Sequence, residues 1–390
     1  MRITEVEPIL LRGSERYGAA AGAGEATDNG DWQLLVRVAT DEGLTGWADV
    51  ETLAPAAVAI IAGDGMATLG FRTLGGLLIG ENPLDCELPW DKLYIGSAYY
   101  GRRGIAMQCI SALDNCLRSI RAQAAGMSLA RLLGGRRRDR VAAYASTLFR
   151  DTPEAMAAAA AAYVEKGFRA VKFGWGVFGE DAGRDRELVA AARAALGPER
   201  TLLVDPGWYP IGWKKPGPMR SRREALALCE WLAEYDVGWI EDFIHPERFD
   251  EYAYIRERSP VPIAAGEQVA TIWDFERFIR AGCVDVVQPD LSRCGGVSVA
   301  AKVAHLAEEA GIDLVPHSWL THLLTGFSLQ LIASLKRARL VEFNVSQSAL
   351  TRGIAPAGPR LEADGTVLIP DLPGIGVEVD LDFIRAHRVN

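Results

Sequence analysis

Seven polar residues, Lys172, Asp205, Glu241, Glu267, Asp290, His317 and Glu342, each close a short apolar run in this 390-residue chain. One carboxylate in such a place is most often solvated or paired, but the same placement on successive runs changes the argument. If neighbouring runs are neighbouring strands, Asp205, Glu241 and Glu267 converge, and their repulsion raises their pKa values unless a cation neutralises them. An all-oxygen set without His or Cys suits a hard ion that keeps water or substrate oxygens, so magnesium is expected rather than zinc. Asp290 and His317 end adjoining runs, where a carboxylate can fix the imidazole tautomer and raise its basicity.

The elements that must position these groups begin near residue 141, where short apolar strands alternate with amphipathic helical stretches, the signature of a parallel sheet. Eight strands can be read: VAAYAST from Val141, FRAVKFGW from Phe168, TLLVDPG from Thr201, VGWIEDF from Val237, PIAAGE from Pro262, VDVVQPD from Val284, DLVPHS from Asp313 and RLVEFN from Arg339. Seven helical stretches separate them. Asp151 to Glu154 and Ser221 to Glu224 have capping-box spacing, and Gly167 and Gly311 sit where C-terminal caps belong. Eight strands in about 200 residues predict a compact (β/α) barrel, whose catalytic groups project from the C-terminal strand ends. An open doubly wound sheet is the runner-up, disfavoured because no GxGxxG follows a first strand.

Residues 1–135 read as an α+β cap, with strands ITEVEPILL, WQLLVRVAT and GLTGWADV and helices over 54–80 and 104–133. The barrel takes 136–355, and the tail 356–390 is expected to return to the cap. Gly13 to Asp31, rich in Gly, Ala and charge, reads as a loop that closes a site or as a passive insertion.

Composition narrows the partners. The chain is 49% hydrophobic and 24% charged, a globular profile, and carries a net charge of -9. Such acidity argues against nucleic acid, while a bound cation and local bases still allow an anionic small substrate. The six cysteines form no CxxC pair and read as reduced thiols. Neither a secretory h-region nor a membrane-spanning apolar stretch is present, so a soluble cytoplasmic protein without a membrane partner is expected.

The stretches AVKFG, LLVDPGW, GWIEDF, IAAGEQ, VVQPDLSRCGG, LVPHSW and LVEFN, in this order, resemble the enolase superfamily and its mandelate racemase branch. ISALDNCLRSIRAQAAGMSLARLLGG resembles that family's linker helix into the barrel. The resemblance implies a TIM-like (β/α)7β barrel under an α+β capping domain completed by the C-terminal tail, with the site between them, and a homo-oligomer. It implies Mg2+ ligation by Asp205, Glu241 and Glu267, a catalytic dyad of His317 and Asp290, and Glu342 hydrogen-bonded to a substrate carboxylate. The family's second barrel strand carries Lys-x-Lys, the first Lys touching the carboxylate and the second serving as acid/base. Here it reads Lys172-Phe173-Gly174, so the first is kept and the second is glycine. Gly207 stands where the family often has Asn, and Arg118-Ser119 where its linker helix often has Trp-Asp.

Removing a proton alpha to a carboxylate places a second negative charge on that group. Magnesium, Lys172 and a protonated Glu342 are expected to stabilise the resulting enediolate while His317 takes the proton. Racemisation needs groups on both faces, and Gly174 removes one. Syn elimination does not, because His317 can act first as base and then as acid. The expected activity is therefore a lyase, a hydro-lyase dehydrating a sugar acid, an aldonate or aldarate, to a 2-keto-3-deoxy acid. Arg102 and Arg103 can reach distal hydroxyls, and Trp175 and Trp208 can wall the pocket. The rival is an isomerase (a racemase, epimerase or cycloisomerase) with Tyr144 or Tyr209 replacing the missing Lys. A noncatalytic metal-binding homologue is the reading from another class.

Overall fold

The computed structural model describes residues 1–13, 32–63, 71–208, 219–346 and 348–389. Tyr209, and all but Gly13 of the loop expected from Gly13 to Asp31, lie outside the described residues.

The chain opens with an antiparallel sheet of β1 (Ile3–Arg12), β2 (Trp32–Thr40) and β3 (Thr45–Val50), in that order. Helices α1 (Ala54–Ala62) and α2 (Leu74–Leu78) pack on β1, and the long α4 (Gly104–Ala124) packs on β2 and β3. Among the described residues, the stretch expected to be helical over 54–80 carries two helices, with Thr73 capping the second through Gly76 N–H. Between them and α4 lies α3 (Glu87–Gly96), which the sequence pattern did not reveal. Its apolar residues are split, Trp90 and Leu93 inward and Leu88 and Ile95 outward, so no single apolar stripe marks it. A short turn, α5 (Leu129–Leu132), leads to the barrel.

Eight parallel strands follow: β4 (Arg140–Leu148), β5 (Ala170–Gly174), β6 (Thr201–Asp205), β7 (Val237–Glu241), β8 (Ile263–Ala265), β9 (Val286–Val287), β10 (Asp313–Leu314) and β11 (Leu340–Asn344). They pair in sequence order from β4 to β10, and β11 returns to pair with β4, as a closing barrel requires. Side chains make the joint between β10 and β11. Asn344 Nδ2 donates to the carbonyls of Trp319 (2.7 Å) and Leu320 (3.0 Å), and Ser318 N–H to Glu342 Oε2 (2.6 Å). The connecting helices are α6 (Pro153–Glu165), α7 (Ala182–Leu196), α8 (Arg222–Ala233), α9 (Phe249–Arg256), α10 (Thr271–Arg280), α11 (Gly296–Ala310) and α12 (His322–Ser334). Ser221 and Glu224 form the expected capping box on α8. On α6 the cap is Thr152 rather than Asp151, because Pro153 takes the first helical position, where its missing N–H costs nothing.

Cap and barrel are joined at the start of α11. Its own cap residue, Gly295, has no side chain, and α4 supplies what is missing. Ser111 Oγ accepts from Gly295 N–H (2.8 Å), Asn115 Oδ1 from Val297 N–H (2.9 Å) and Asp114 Oδ2 from Ser298 N–H (2.8 Å). These are donors that a helix start leaves without an intrahelical partner. The tail holds both parts: after α13 (Ala349–Gly353), β12 (Thr366–Leu368) pairs antiparallel with β4. Past α14 (Leu381–His387), Val389 N–H donates to Leu10 O (2.9 Å) on the cap sheet. Among the described residues, no helix is long and apolar enough to cross a membrane.

Candidate active site at the barrel mouth

Strand geometry assembles the site. Tyr144, Ala170, Leu203, Trp239, Ala264, Val286 and Val315 form one apolar cluster plugging the barrel. Side chains two residues further along a strand point the same way, one layer nearer the C-terminal mouth. On β4, β5, β6, β7 and β9 and at the end of β10 those residues are Ser146, Lys172, Asp205, Glu241, Gln288 and His317; on β11, Glu342 follows Leu340 by the same step. The alternation is apolar and then polar on every one of these strands. A cavity of about 980 Å³ opens above this layer between barrel and cap, lined by Lys172, Asp205, Glu267 and His317 below and by Glu51 and Arg293 at the side.

The structure brings His317 and Asp290 together, with Nδ1 2.5 Å from Asp290 Oδ2. The other oxygen of Asp290 is fixed by Ser292, whose N–H and Oγ both donate to it at 2.6 Å. His317 Nε2 lies 3.0 Å from Glu267 Oε2. Burial disfavours the imidazolium, but Glu267 and Glu342 outweigh that and hold His317 well above its usual range.

Lys172 is buried between two acids, ion-paired to Glu241 and 2.9 Å from Glu342 Oε1. Glu342 also accepts from Ser146 Oγ (2.6 Å) and Ser318 N–H (2.6 Å). Burial pushes its pKa up, yet Lys172, His317 and the Ser146 bond bring it down to about 2. The protonated Glu342 expected above is therefore corrected: four donors or cations around one buried carboxyl favour its ionised form.

Asp205, Glu241 and Glu267 are the groups that could hold a divalent cation. Among the described residues no three His, Cys, Asp or Glu side chains form a preformed metal cluster. Glu241 is turned to Lys172, Trp239 Nε1 (2.9 Å) and Gln288 Nε2 (3.0 Å), and Glu267 to His317 and Arg293. The donor chemistry nonetheless fits. Asp205 is pushed well above the carboxylate range, first by burial and then by the charges of Glu241 and Glu267, a repulsion that a dication relieves.

Trp175 and Trp208 line the cavity as expected from their positions, joined by Trp319. Trp175 takes φ 47°, and its indole lies over Gly207, where a Cβ would come within 2.9 Å of the ring. That contact, with φ +66° at residue 207, accounts for glycine there. At Gly174 a Cβ would sit 3.0 Å from Asp205 Oδ2, so any side chain presses on that carboxylate. Arg102 and Arg103 are not brought here. Arg103 pairs with Glu247 (3.0 Å) and Asp274 (2.6 Å) beside α9 and α10, and both Arg residues border a separate surface cavity. Tyr144 is fully buried in the plugging layer, with Lys172 Nζ 5.6 Å over its ring, out of reach of a substrate.

Sequence reasoning missed three charged neighbours. Glu51, just past β3, and Arg293 meet across the cap–barrel boundary, and Asp242 is buried beside Glu241 at φ 39°. Of these only Arg293 had a local signal, three residues after Asp290 in a turn.

Residues 155–383 match the enolase C-terminal domain-like family model, and residues 24–134 match the mandelate racemase/muconate lactonizing enzyme N-terminal domain. The chain is 31% identical over 373 residues to D-galactarolactone cycloisomerase of Agrobacterium fabrum, covering 91% of each chain. It is 28% identical over 373 residues to D-xylonate dehydratase of Haloferax volcanii, covering 91% of this chain and 85% of that one. The crystal structure of a racemase from Streptomyces coelicolor A3(2) with bound magnesium matches with a TM-score of 0.84 at 26% identity, over 99% of this chain and 100% of that one.

Proposed function

Since the chain belongs to the enolase superfamily, in its mandelate racemase branch, we propose that it is a magnesium-dependent dehydratase of acid sugars that works by syn β-elimination. The observation that carries this reading is that, among the described groups lining the cavity, Lys172 is assigned to the substrate carboxylate, Asp205 and Glu267 to the cation, and Glu51 is held by Arg293, which leaves His317 as the acid/base. The position where a second base would stand is Gly174, packed against Asp205.

Lys172 would donate to the substrate carboxylate, and Asp290 keeps a proton on His317 Nδ1, so that Nε2, paired with Glu267 in this structure, would act as base once Glu267 turns to a cation. Asp205, Glu241 and Glu267 would hold the Mg2+, which when bound would supply Lewis-acid stabilisation of the charge developing on that carboxylate. His317 takes the α proton, and the imidazolium returns it to the β-hydroxyl on the same face. Water leaves, and the enol tautomerises to the 2-keto-3-deoxy acid. Trp175, Trp208 and Trp319 give the cavity an apolar wall.

A cycloisomerase is the second reading, favoured by the 31% identical relative. The same proton transfers open a ring when the departing β-oxygen stays tethered to the substrate, and no water is lost. The test is to give the protein, with Mg2+ in D2O, each C2 epimer of a panel of aldonates, aldarates and their lactones. One epimer should yield a 2-keto acid lighter by one water, and NMR should show no epimer interconversion. An isomeric ring-opened product would select the cycloisomerase. Deuterium entering both epimers would require a second base opposite His317 and refute the single-base mechanism.

A further inference from the structure

The partly buried guanidinium of Arg293 holds two carboxylates from different parts of the fold. Its Nε and Nη2 donate to Glu51 Oε2 (2.9 Å) and Oε1 (2.6 Å), a bidentate grip on the cap, while Nη1 donates to Glu267 Oε1 (3.1 Å). Asp290 Oδ2 lies 3.8 Å from Nε. Arg293 itself is fixed, because the turn from Asp290 to Gly295 is pinned by Ser292 at one end and by Ser111 of α4 at the other. Glu51 and Arg293 both line the cavity.

We propose that Glu51 and Arg293 are paired positioning residues: Arg293 orients the Glu267 carboxylate, and Glu51, reaching in from the cap, cancels the guanidinium charge so that the site keeps its affinity for a dication. This rests on the reading of Glu267 as a magnesium ligand. The geometry requires both halves. A cation 3.1 Å from a ligand oxygen orients it but opposes a second cation beside it, and a bidentate carboxylate on its far side removes that opposition. The cap therefore contributes charge balance to a centre whose ligands all lie on the barrel, and the site is complete only with the cap docked.

The two residues then have opposite signatures. Glu51→Gln leaves Arg293 uncompensated and should weaken Mg2+ binding, measured by calorimetry without substrate, about tenfold, the usual scale for partners of metal ligands. Glu51→Asp keeps the charge and should stay within about threefold of the parent, by the same scale. Arg293→Gln leaves Glu51 negative and Glu267 free to rotate, so Mg2+ should bind at least as tightly while kcat falls at unchanged KM. A merely structural role would lower Tm and weaken binding in both variants alike. Unchanged Mg2+ affinity in Glu51→Gln, or equal weakening in Arg293→Gln, would overturn the proposal while leaving the dehydratase reading intact. A parent protein that binds no Mg2+ at all would overturn both.

Discussion

Replacing Asp290 with Asn should be far more damaging than the loss of one charge suggests. Oδ1 of Asp290 accepts from two donors of Ser292 at 2.6 Å, one of them a backbone N–H that cannot reverse its role. In the variant, the amide oxygen must therefore occupy that position, and the amide NH2 must face His317 Nδ1, now 2.5 Å from the carboxylate. Nδ1 is then forced to accept, and the imidazole proton moves to Nε2, the nitrogen needed as base. The wrong tautomer costs about 10⁴-fold in the Ser-His-Asp proteases for the same reason, or about 5 kcal/mol of transition-state stabilisation. We expect α-proton exchange and product formation to fall by roughly 10³–10⁴-fold in kcat with little change in KM. Asp290→Ala, which leaves Nδ1 to water and the tautomer free, should lose less. The assay is solvent deuterium incorporation by NMR under single-turnover and steady-state conditions. Asp290→Asn within tenfold of the parent, or more active than Asp290→Ala, would refute the argument from Ser292.

Lys172→Met should abolish turnover and also destabilise the fold by about 3–5 kcal/mol, because Glu241 and Glu342 are left as buried carboxylates without their cation; thermal unfolding would show it as a marked drop in Tm. His322, packed against Phe343, has its pKa brought down to about 4 by burial and by Arg352 and Arg360, from 6.5. The unfolded chain takes up this proton first, so stability present above about pH 6.5 is lost as the pH falls towards 4, by up to about 3 kcal/mol. Urea midpoints of His322→Phe should fall less over that window than those of the parent, and parallel curves would refute this.

What the sequence by itself determined is what one strand carries locally. Alternation in pairs such as Leu203 and Asp205, Trp239 and Glu241, or Leu340 and Glu342 marks an apolar plug and a polar mouth, because residues two apart on a strand share a face. Eight such runs separated by helical stretches leave few topologies, and the right-handed crossover rule leaves the barrel among them. Local chemistry likewise set the capping box at Ser221 and the glycine at 174, which supplies no second base. Only the tertiary structure decided which distant groups meet. Glu51 and Arg293 are 242 residues apart, and Ser111 reaches a helix start 184 residues away, contacts created by docking the cap and invisible to any periodicity. Arg103, equally basic, is instead captured by Glu247 and Asp274 outside the cavity. Ionisation was decided there too. Glu342 is charged because Lys172, Ser146 and Ser318 surround it, and a carboxyl's proton depends on the field of its neighbours rather than on its place along a strand.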